Sequence, residues 1–193
     1  MFSNYIQDIY RNNKGNLKRA KVIWFTGVPC SGKTTLSLLL EKVLKSWGFQ
    51  VQVLDGDILR STLCKDLSFS KEDRIENVRR IGYLSQMFTR LGIWVLVAAV
   101  SPYSSSREQV RRTVLKEGAD FVEVYVRCPI EVAESRDSKG FYKSARSGRI
   151  SHFTGISDTY EEPLAPEVVV NTDSETPNIS LEKILSKILG VED

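Results

Sequence analysis

Histidine and cysteine are scarce in this sequence of 193 residues, which contains one histidine and three cysteines. The single histidine, His152, argues against a multi-histidine metal centre and against catalysis by a histidine-based triad. Cys30, Cys64 and Cys128 are far apart and lack C-x-x-C spacing, so they predict neither a disulfide framework nor a zinc site. Free thiols of this kind are typical of a reducing compartment.

Long apolar runs are also lacking. The longest, residues 93–100, is far shorter than the ~20 residues of a transmembrane helix, and its β-branched side chains predict a buried strand. No apolar signal core stands at the N-terminus, so we expect a cytoplasmic protein that does not bind membranes. Residues 1–20 are basic and carry apolar side chains at helical spacing, which predicts an N-terminal arm made of a docking helix and a linker. An organellar targeting segment is the alternative.

The excess of positive charge is small. A net charge of +3 does not suggest a general nucleic-acid binder.

The length of the chain fits one domain, which we place at residues 21–193. From residue 21 onward, apolar strand-like segments alternate with helix-like segments. Apolar strands separated by helices predict a single-domain α/β fold, with a parallel sheet covered by helices on both faces.

The predicted strands are residues 22–26, 51–54, 93–100, 121–126 and 168–170. The predicted helices are residues 33–47, a long helix between Ser70 and Gly92, residues 105–117, one opened by Pro129, and residues 179–189. Ligands of open parallel sheets bind beyond the carboxyl ends of the strands. Polar residues that follow the strands should therefore meet at one rim of the sheet.

The first strand leads into a phosphate-binding motif. Residues 27–34, Gly-Val-Pro-Cys-Ser-Gly-Lys-Thr, satisfy G-x-x-x-x-G-K-[ST] between a predicted strand and a predicted helix. Backbone N–H groups of such a loop surround a β-phosphate, Lys33 reaches the β- and γ-phosphates, and the Thr34 hydroxyl ligates Mg²⁺. A base-reading N-K-x-D segment is missing, and so is a D-x-x-G motif after a strand. The pattern therefore favours ATP as a phosphoryl donor over GTP in a switch.

Two acidic residues, Asp55 and Asp57, follow the second strand. One carboxylate can help to hold Mg²⁺, and the other can orient the acceptor hydroxyl or accept its proton. Arg60 comes next, and Arg74 and Asn77 share one face of the long helix. Because guanidinium groups bind phosphate or sulfate oxygens bidentately, this set predicts an acceptor that carries its own anionic group.

A basic, glycine-containing segment at about residues 137–157 predicts a mobile lid that closes over ATP. The basic residues in and next to it are Arg136, Lys139, Lys143, Arg146 and Arg149. A nucleic-acid contact loop is the alternative, which the lack of interleaved aromatic residues disfavours. Phe69 and Phe153 are candidates for stacking on a base.

Cys30 lies inside the phosphate-binding motif, beside the start of a helix and near Lys33. This position predicts a lowered thiol pKa and reaction with oxidants, which would block ATP binding. The alternative is an inert small residue that fills the loop.

Together these segments resemble the adenylylsulfate kinase family, over about residues 21–175. The matching segments are I-W-F-T-G at 23–27, L-D-G-D at 54–57 with Arg60, D-L-S-F-S at 66–70, D-R-I-E-N-V-R-R-I-G at 73–82, V-A-A-V-S-P-Y at 97–103, E-V-Y-V at 123–126, K-G-F-Y-K at 139–143 and F-T-G-I at 153–156. They are far more specific than the phosphate-binding motif alone. The resemblance implies a P-loop kinase, often a homodimer, that uses Mg-ATP to phosphorylate the 3′-hydroxyl of adenylyl sulfate for sulfate activation.

The resemblance also implies roles for individual residues. Those implied to bind ATP are Gly27, Cys30, Ser31, Gly32, Lys33, Thr34, Thr35, Arg136, Asn171 and Thr172. Those implied to bind adenylyl sulfate are Asp57, Arg60, Phe69, Arg74, Asn77, Val100, Ser101, Lys139, Phe153 and Thr154, with the two phenylalanines on either side of the adenine. The catalytic set is Lys33, Asp55, Asp57 and Ser101, and the metal ligands are Thr34 and Asp55. We interpret Ser101 as a positioning residue, because direct in-line transfer needs no phosphoserine.

Four departures from the family pattern bear on the substrate. The chain has Ile58 where Asn is usual, Ser104 where Arg is usual, Pro29-Cys30 where small residues are common, and Ser144 in place of a second lid lysine. Since the first two concern acceptor recognition, a P-loop kinase for a related anionic nucleotide derivative is the alternative function. A catalytically idle nucleotide-binding domain is disfavoured by the intact phosphate-binding motif and acidic pair.

Overall fold

The computed structural model describes residues 10–11, 17 and 19–191. The strands in this part of the chain are β1 (Lys21–Thr26), β2 (Val51–Asp55), β3 (Trp94–Ala98), β4 (Asp120–Arg127) and β5 (Val168–Asn171). The helices are α1 (Lys33–Ser46), α2 (Gly56–Ser61), α3 (Lys71–Arg90), α4 (Ser104–Lys116), α5 (Ile130–Ser135), α6 (Phe141–Arg146) and α7 (Pro177–Leu189). The docking helix predicted within residues 2–9 lies outside the described residues.

The five strands form one sheet in the order β2-β3-β1-β4-β5, and every neighbouring pair is parallel. The central strand β1 pairs Phe25 with Ala98 on one side and with Val124 on the other. Because all the strands run in the same direction, their carboxyl ends lie along one rim. The prediction of a parallel α/β sheet is confirmed.

Helices cover both faces of the sheet. Successive side chains of a strand point to opposite faces, so Ile23 and Phe25 pack in a core with α1 and α7. Val22 and Trp24 pack in a second core with α3 and α4 on the other face. All four side chains are fully buried, which explains why β1 reads as a continuous apolar run.

Several element boundaries agree with the sequence and others do not. The Ser70 hydroxyl caps α3 by accepting a hydrogen bond from the Asp73 amide at 3.2 Å, and Pro129 precedes α5. The strand predicted at 93–100 is shorter, so residues 99–102 follow it as a loop at the rim. Helices α2 and α6 were not predicted, because six residues are too few to show an apolar period.

Two further features concern the periphery. Tyr10 in the N-terminal arm stacks on Trp47 with ring centroids 4.3 Å apart and donates a hydrogen bond to the Trp47 carbonyl. This contact ties part of the arm to the end of α1, although the boundary between arm and domain stays a prediction. No helix in the described part of the chain has the length and apolar character needed to cross a membrane.

Candidate active site

The phosphate-binding loop, residues 27–32, joins β1 to α1 at the rim of the sheet. Gly27 has a φ of +154°, and a Cβ on it would lie 2.4 Å from the Val126 carbonyl oxygen, so only glycine fits. Gly32 caps α1 with a φ of +100°, and the first turn of α1 has no acidic residue. The N–H groups and the positive end of the helix dipole are therefore available to an anion.

Lys33 lies inside the curve of this loop and is only 8 % exposed. Its ammonium group donates to the carbonyls of Gly27 at 3.1 Å and Val28 at 2.7 Å, and to Ser31 Oγ at 3.3 Å. Burial is the main influence on this group, and it lowers the pKa of Lys33 to about 8. The loop thus holds a buried cation, and its binding to phosphate oxygens, which the motif predicts, stays a prediction.

A hydrogen bond joins Thr34 in the first turn of α1 to Asp55 at the carboxyl end of β2. The Thr34 hydroxyl donates to Asp55 Oδ2 at 2.7 Å, while Asp55 Oδ1 caps α2 by accepting from the Asp57 amide at 2.9 Å. A hydroxyl and a carboxylate are hard oxygen donors that suit Mg²⁺. Among the described residues no group of three or more His, Cys, Asp or Glu forms a metal cage. This pair fits an ion that takes its remaining ligands from phosphate and water, as Mg²⁺ does with ATP.

A cavity of about 1730 Å³ extends from the loop across the rim to the lid. The predicted site residues that line it are Cys30, Gly32, Lys33, Thr34, Thr35, Asp55, Asp57, Arg60, Phe69, Arg74, Asn77, Val100, Ser101, Arg136, Lys139, Phe153, Thr154 and Thr172. Three others do not line it. Gly27 and the buried Ser31 lie behind the loop surface, and Asn171 lines a separate cavity of about 870 Å³. The structure therefore brings nearly all of the predicted site together.

Arg136 joins the lid to the turn after β5. Its guanidinium donates to the Thr172 carbonyl at 2.7 Å and to Thr172 Oγ1 at 3.2 Å. The Thr172 hydroxyl also donates to the Ser31 carbonyl in the phosphate-binding loop at 2.9 Å. This end of the cavity is thus fastened to the loop, which places Arg136 and Thr172 where a nucleotide held by the loop would extend.

The lid meets the acidic pair through one ion pair. Lys139 Nζ lies 2.7 Å from Asp57 Oδ2, and both side chains are largely exposed. The hydrogen bond to Asp57 raises the pKa of Lys139 from its ordinary value. The contact spans the cavity between the strand ends and the lid, so Asp57 faces the space that both sides enclose.

Two arginines surround Phe69 on the opposite wall. The Arg60 guanidinium lies 4.4 Å from the centre of the Phe69 ring and that of Arg74 lies 5.3 Å from it. Burial lowers the pKa of both guanidinium groups from the ordinary value. Phe69 is half exposed, whereas Phe153 is 8 % exposed and packs edge-on against Tyr142. The wall thus offers two cations and an open aromatic face.

Two buried polar atoms on this side have no hydrogen-bond partner among the described residues, namely Asn77 Oδ1 and Thr154 Oγ1. Both residues line the cavity. Leaving a buried polar group unpaired costs about 1–3 kcal/mol, and native proteins rarely do so without a reason. A polar ligand in the cavity would satisfy both atoms.

Ser101 lies at the rim after β3 and is 3 % exposed. Its hydroxyl accepts a hydrogen bond from Trp24 Nε1 at 3.0 Å, and its carbonyl accepts one from Arg107 at 2.7 Å. It is one of three non-glycine residues with positive φ in the described part of the chain, with Cys30 and His152, and all three line the cavity. Such strain is typical of functional sites.

Sequence reasoning missed the residues that support this rim from behind. Arg107 forms a buried ion pair with Glu123 at 2.7 Å while it holds the Ser101 carbonyl. Asp158 similarly contacts Arg74 and accepts a hydrogen bond from Tyr103. Arg107 and Asp158 lie outside the segments that carry the family resemblance, and their ion-pair partners are 16 or more positions away in the chain. Arginine in an otherwise amphipathic helix is usually solvated, so the sequence held no signal for Arg107.

The hypothesis of a reactive Cys30 is wrong about its pKa. Burial is the main influence and raises the pKa of the Cys30 thiol, and Asp137 raises it further. Lys33 acts in the opposite direction, but its effect is smaller than those of burial and Asp137. A thiol of this kind is less reactive than a free cysteine at neutral pH.

Two of the residues that depart from the family pattern, Ile58 and Ser104, lie outside the cavity. Ile58 is 64 % exposed on α2 and does not line the cavity. Ser104 donates from its amide and its hydroxyl to Glu161 Oε2, both at 2.7 Å, and so fixes the start of α4. Neither residue adds a group to the cavity itself.

Comparisons with known proteins agree with this geometry. The family model described as adenylylsulphate kinase matches residues 19–171. The adenylyl-sulfate kinase of Picosynechococcus sp. is 49 % identical over 170 residues, which are 88 % of this chain and 94 % of that protein. The adenylyl-sulfate kinase of Synechococcus sp. strain JA-2-3B'a(2-13) is 52 % identical over 155 residues, covering 80 % of this chain and 86 % of that protein.

A solved structure is similar over nearly the same span. It is the Mycobacterium tuberculosis APS kinase in complex with AMPPNP and APS, with a TM-score of 0.85 and 38 % sequence identity. The match covers 88 % of this chain and 98 % of that one.

Proposed function

Because this chain belongs to the adenylylsulphate kinase family, we propose that it transfers the γ-phosphate of ATP to the 3′-hydroxyl of adenylyl sulfate. The products are 3′-phosphoadenylyl sulfate and ADP. The observation that carries the proposal is the single cavity that joins the phosphate-binding loop to an anion-binding wall, with Asp55 and Asp57 between them. A solved relative with both an ATP analogue and adenylyl sulfate bound supports it.

The donor occupies the loop side of the cavity. Backbone amides of residues 30–34 and the start of α1 bind the β-phosphate, and Lys33 neutralises charge on the β- and γ-phosphates. Arg136 and Thr172 hold the adenine end. Thr34 and Asp55 would hold Mg²⁺, which when bound offsets charge on the transferred phosphoryl group.

The acceptor occupies the opposite wall. Arg60 and Arg74 hold its phosphosulfate region, and Asn77 and Thr154 supply the polar atoms that lack partners among the described residues. Phe69 offers an exposed ring to one face of the adenine, with Phe153 on the other side.

Asp57 is the general base of this proposal. It faces the space between the two walls, where it accepts the proton of the 3′-hydroxyl as the oxygen attacks the γ-phosphorus in line. Lys139 Nζ lies 2.7 Å from Asp57 Oδ2, so the lid contacts the carboxylate that faces the acceptor. Ser101 positions the rim next to this carboxylate.

The direct test is incubation with Mg-ATP and adenylyl sulfate, followed by identification of the phosphorylated product. We expect ADP release that depends on adenylyl sulfate and a product phosphorylated at the 3′-position. A panel of related anionic nucleotides serves as the control for the acceptor. Faster use of another member of that panel would overturn the choice of substrate while leaving the kinase chemistry intact.

A homodimer and a cytoplasmic location complete the proposal. Tyr83 and Met87 on α3 and Leu91 directly after it are exposed at a spacing of four residues, and a second copy would cover them. The three free cysteines suit a reducing compartment. Light scattering of the purified chain tests the first point, and a monomeric mass at micromolar concentration would contradict it.

A further inference from the structure

The Arg74 guanidinium is fixed before any substrate contacts it. Its Nε donates to the Phe69 carbonyl at 3.1 Å, and its Nη2 donates to the His152 carbonyl. Nη1 has no hydrogen-bond partner among the described residues, and Arg74 lines the large cavity. The residue therefore presents one edge of a nearly buried cation to the acceptor, while its other edge joins α3 to the lid.

Asp158 approaches this cation from behind. Its Oδ2 lies 3.3 Å from Arg74 Nε, and the same oxygen accepts a hydrogen bond from the Tyr103 hydroxyl at 3.0 Å. Asp158 lines the smaller cavity of about 870 Å³ and not the one that holds the acceptor wall. It is thus placed to act on Arg74 without contacting the substrate.

Tyr103 keeps the carboxylate in place. Tyr103 stands at the start of α4, directly after the rim residues Ser101 and Pro102. Burial, and secondarily its hydrogen bond to Asp158, raises the pKa of Tyr103 to about 12. The phenol therefore remains a hydrogen-bond donor at any physiological pH, and one carboxylate oxygen links the rim to the long helix.

The backbone of Asp158 also closes the turn that carries two acceptor residues. Its carbonyl accepts from the Gly155 amide at 2.8 Å, and its amide donates to the Phe153 carbonyl at 3.1 Å. Thr154 forms an isolated parallel bridge with it. The position of Phe153 and Thr154 is thus coupled to the same residue that holds Arg74.

We propose that Asp158 is a positioning residue for the acceptor site, which aligns Arg74 and the turn at residues 153–155 and thereby sets the affinity for adenylyl sulfate. This inference rests on the proposed function. Among the described residues Asp158 has no hydrogen bond or ion pair to the phosphate-binding loop, Arg136 or Thr172. Asn171 lines the same smaller cavity, but we expect ATP binding to change little when the Asp158 side chain is altered.

The test compares Asp158→Asn, Asp158→Ala and Tyr103→Phe with the unaltered chain. We expect KM for adenylyl sulfate to rise about tenfold in Asp158→Asn, which removes the charge that pairs with Arg74, and further in Asp158→Ala, which also removes the acceptor of the Tyr103 hydrogen bond. KM for ATP should stay within about twofold. Glu131→Gln, which removes an exposed carboxylate on α5, is the matched control and should change neither constant.

Binding supplies a second readout. Calorimetric titration of adenylyl sulfate into the ADP-bound protein should show the same loss as KM, while titration of ADP alone should show none. Tyr103→Phe should weaken adenylyl sulfate binding a few-fold alone and hardly at all in the Asp158→Ala background, because both act through one oxygen. Tyr103→Phe removes a single hydroxyl and carries the test by itself if Asp158→Ala fails to fold.

The outcomes separate two failures. If the unaltered chain releases no ADP with adenylyl sulfate, both the proposed function and this inference fall. If it is active but the Asp158 variants bind adenylyl sulfate normally, or lose ATP and adenylyl sulfate affinity equally, only the inference is overturned. Additive effects of Tyr103→Phe and Asp158→Ala would also overturn it.

Discussion

The two walls of the cavity are built in different ways. The phosphate-binding part of the donor wall comes from one continuous stretch, residues 27–35, which follows a buried strand and begins a helix. The binding groups of this stretch are main-chain amides and one buried lysine, and Asp55, Arg136 and Thr172 join it from other parts of the chain. The acceptor wall takes side chains from α2, α3, the rim after β3 and the lid, and ion pairs and hydrogen bonds hold them.

The difference predicts how each wall responds to change. A wall made of main chain is insensitive to most substitutions, but it depends wholly on the few side chains that complete it. A wall made of separate side chains loses affinity in steps, one contact at a time. Substitutions on the donor wall should therefore abolish activity with every acceptor, and those on the acceptor wall should weaken only the anionic substrate.

The largest effect is expected for Lys33→Ala. Removal of the one cation inside the loop should lower kcat by about 10²–10³-fold or more with any acceptor, because its charge acts on the transferred phosphate. ADP release measured with adenylyl sulfate and with adenosine checks this. Lys42→Ala, on the exposed side of α1, is the control. Substantial activity in Lys33→Ala would contradict the proposal that ATP binds at the phosphate-binding loop.

Arg74→Ala should act on one substrate only. Loss of its charged hydrogen bonds should raise KM for adenylyl sulfate by about 10- to 100-fold, with KM for ATP nearly unchanged. The exposed Arg90 on the same helix pairs with Glu117, and Arg90→Ala is the matched control. An equal rise in KM for adenylyl sulfate and for uncharged adenosine would contradict the role of Arg74. It would also contradict the prediction that the acceptor wall acts on the anionic substrate alone.

ATP binding should depend on pH through Lys33 on the donor wall. The pKa of Lys33 is lowered to about 8, so the free protein carries this proton below that pH and loses it above. ATP favours the protonated form. Affinity should therefore be complete below pH ~8 and fall by up to about tenfold for each pH unit above it. Calorimetry from pH 7 to pH 9.5 measures this, and a flat profile would mean that the lysine stays charged throughout.

The smallest effect concerns backbone strain on the acceptor wall. His152 has a φ of +57°, so His152→Gly should raise the free energy of unfolding by about 0.5–1 kcal/mol while loosening the turn before Phe153. Gly118, with a φ of +81° and open space around it, gives the opposite control, since Gly118→Ala should destabilise by about 1 kcal/mol. Urea denaturation checks both. A destabilised His152→Gly would show that the side chain outweighs the strain.

Much of the fold was accessible from the sequence, because periodicity and turn residues act over short distances. The five strands and the long helix were predicted within a few residues of their observed ends, and Ser70 and Pro129 begin helices as expected. The short helices α2 and α6 were not predicted, since six residues show no period. The strand before Ser101 was predicted too long because apolar residues continue past its last ladder bond.

The candidate site also has a part that the sequence predicts and a part that depends on tertiary structure. Residues of the phosphate-binding loop are neighbours in the chain, so their spacing alone determined their arrangement. Contacts such as Lys139 with Asp57, 82 positions apart, and Arg74 with His152, 78 positions apart, exist only because the sheet brings the strand ends to one rim. Tertiary packing alone decided that burial raises the pKa of Cys30 and that Asp158 stands behind Arg74. Desolvation and ion pairing depend on what surrounds a group in space. Those surroundings come from distant parts of the chain, so a local sequence pattern does not reveal them.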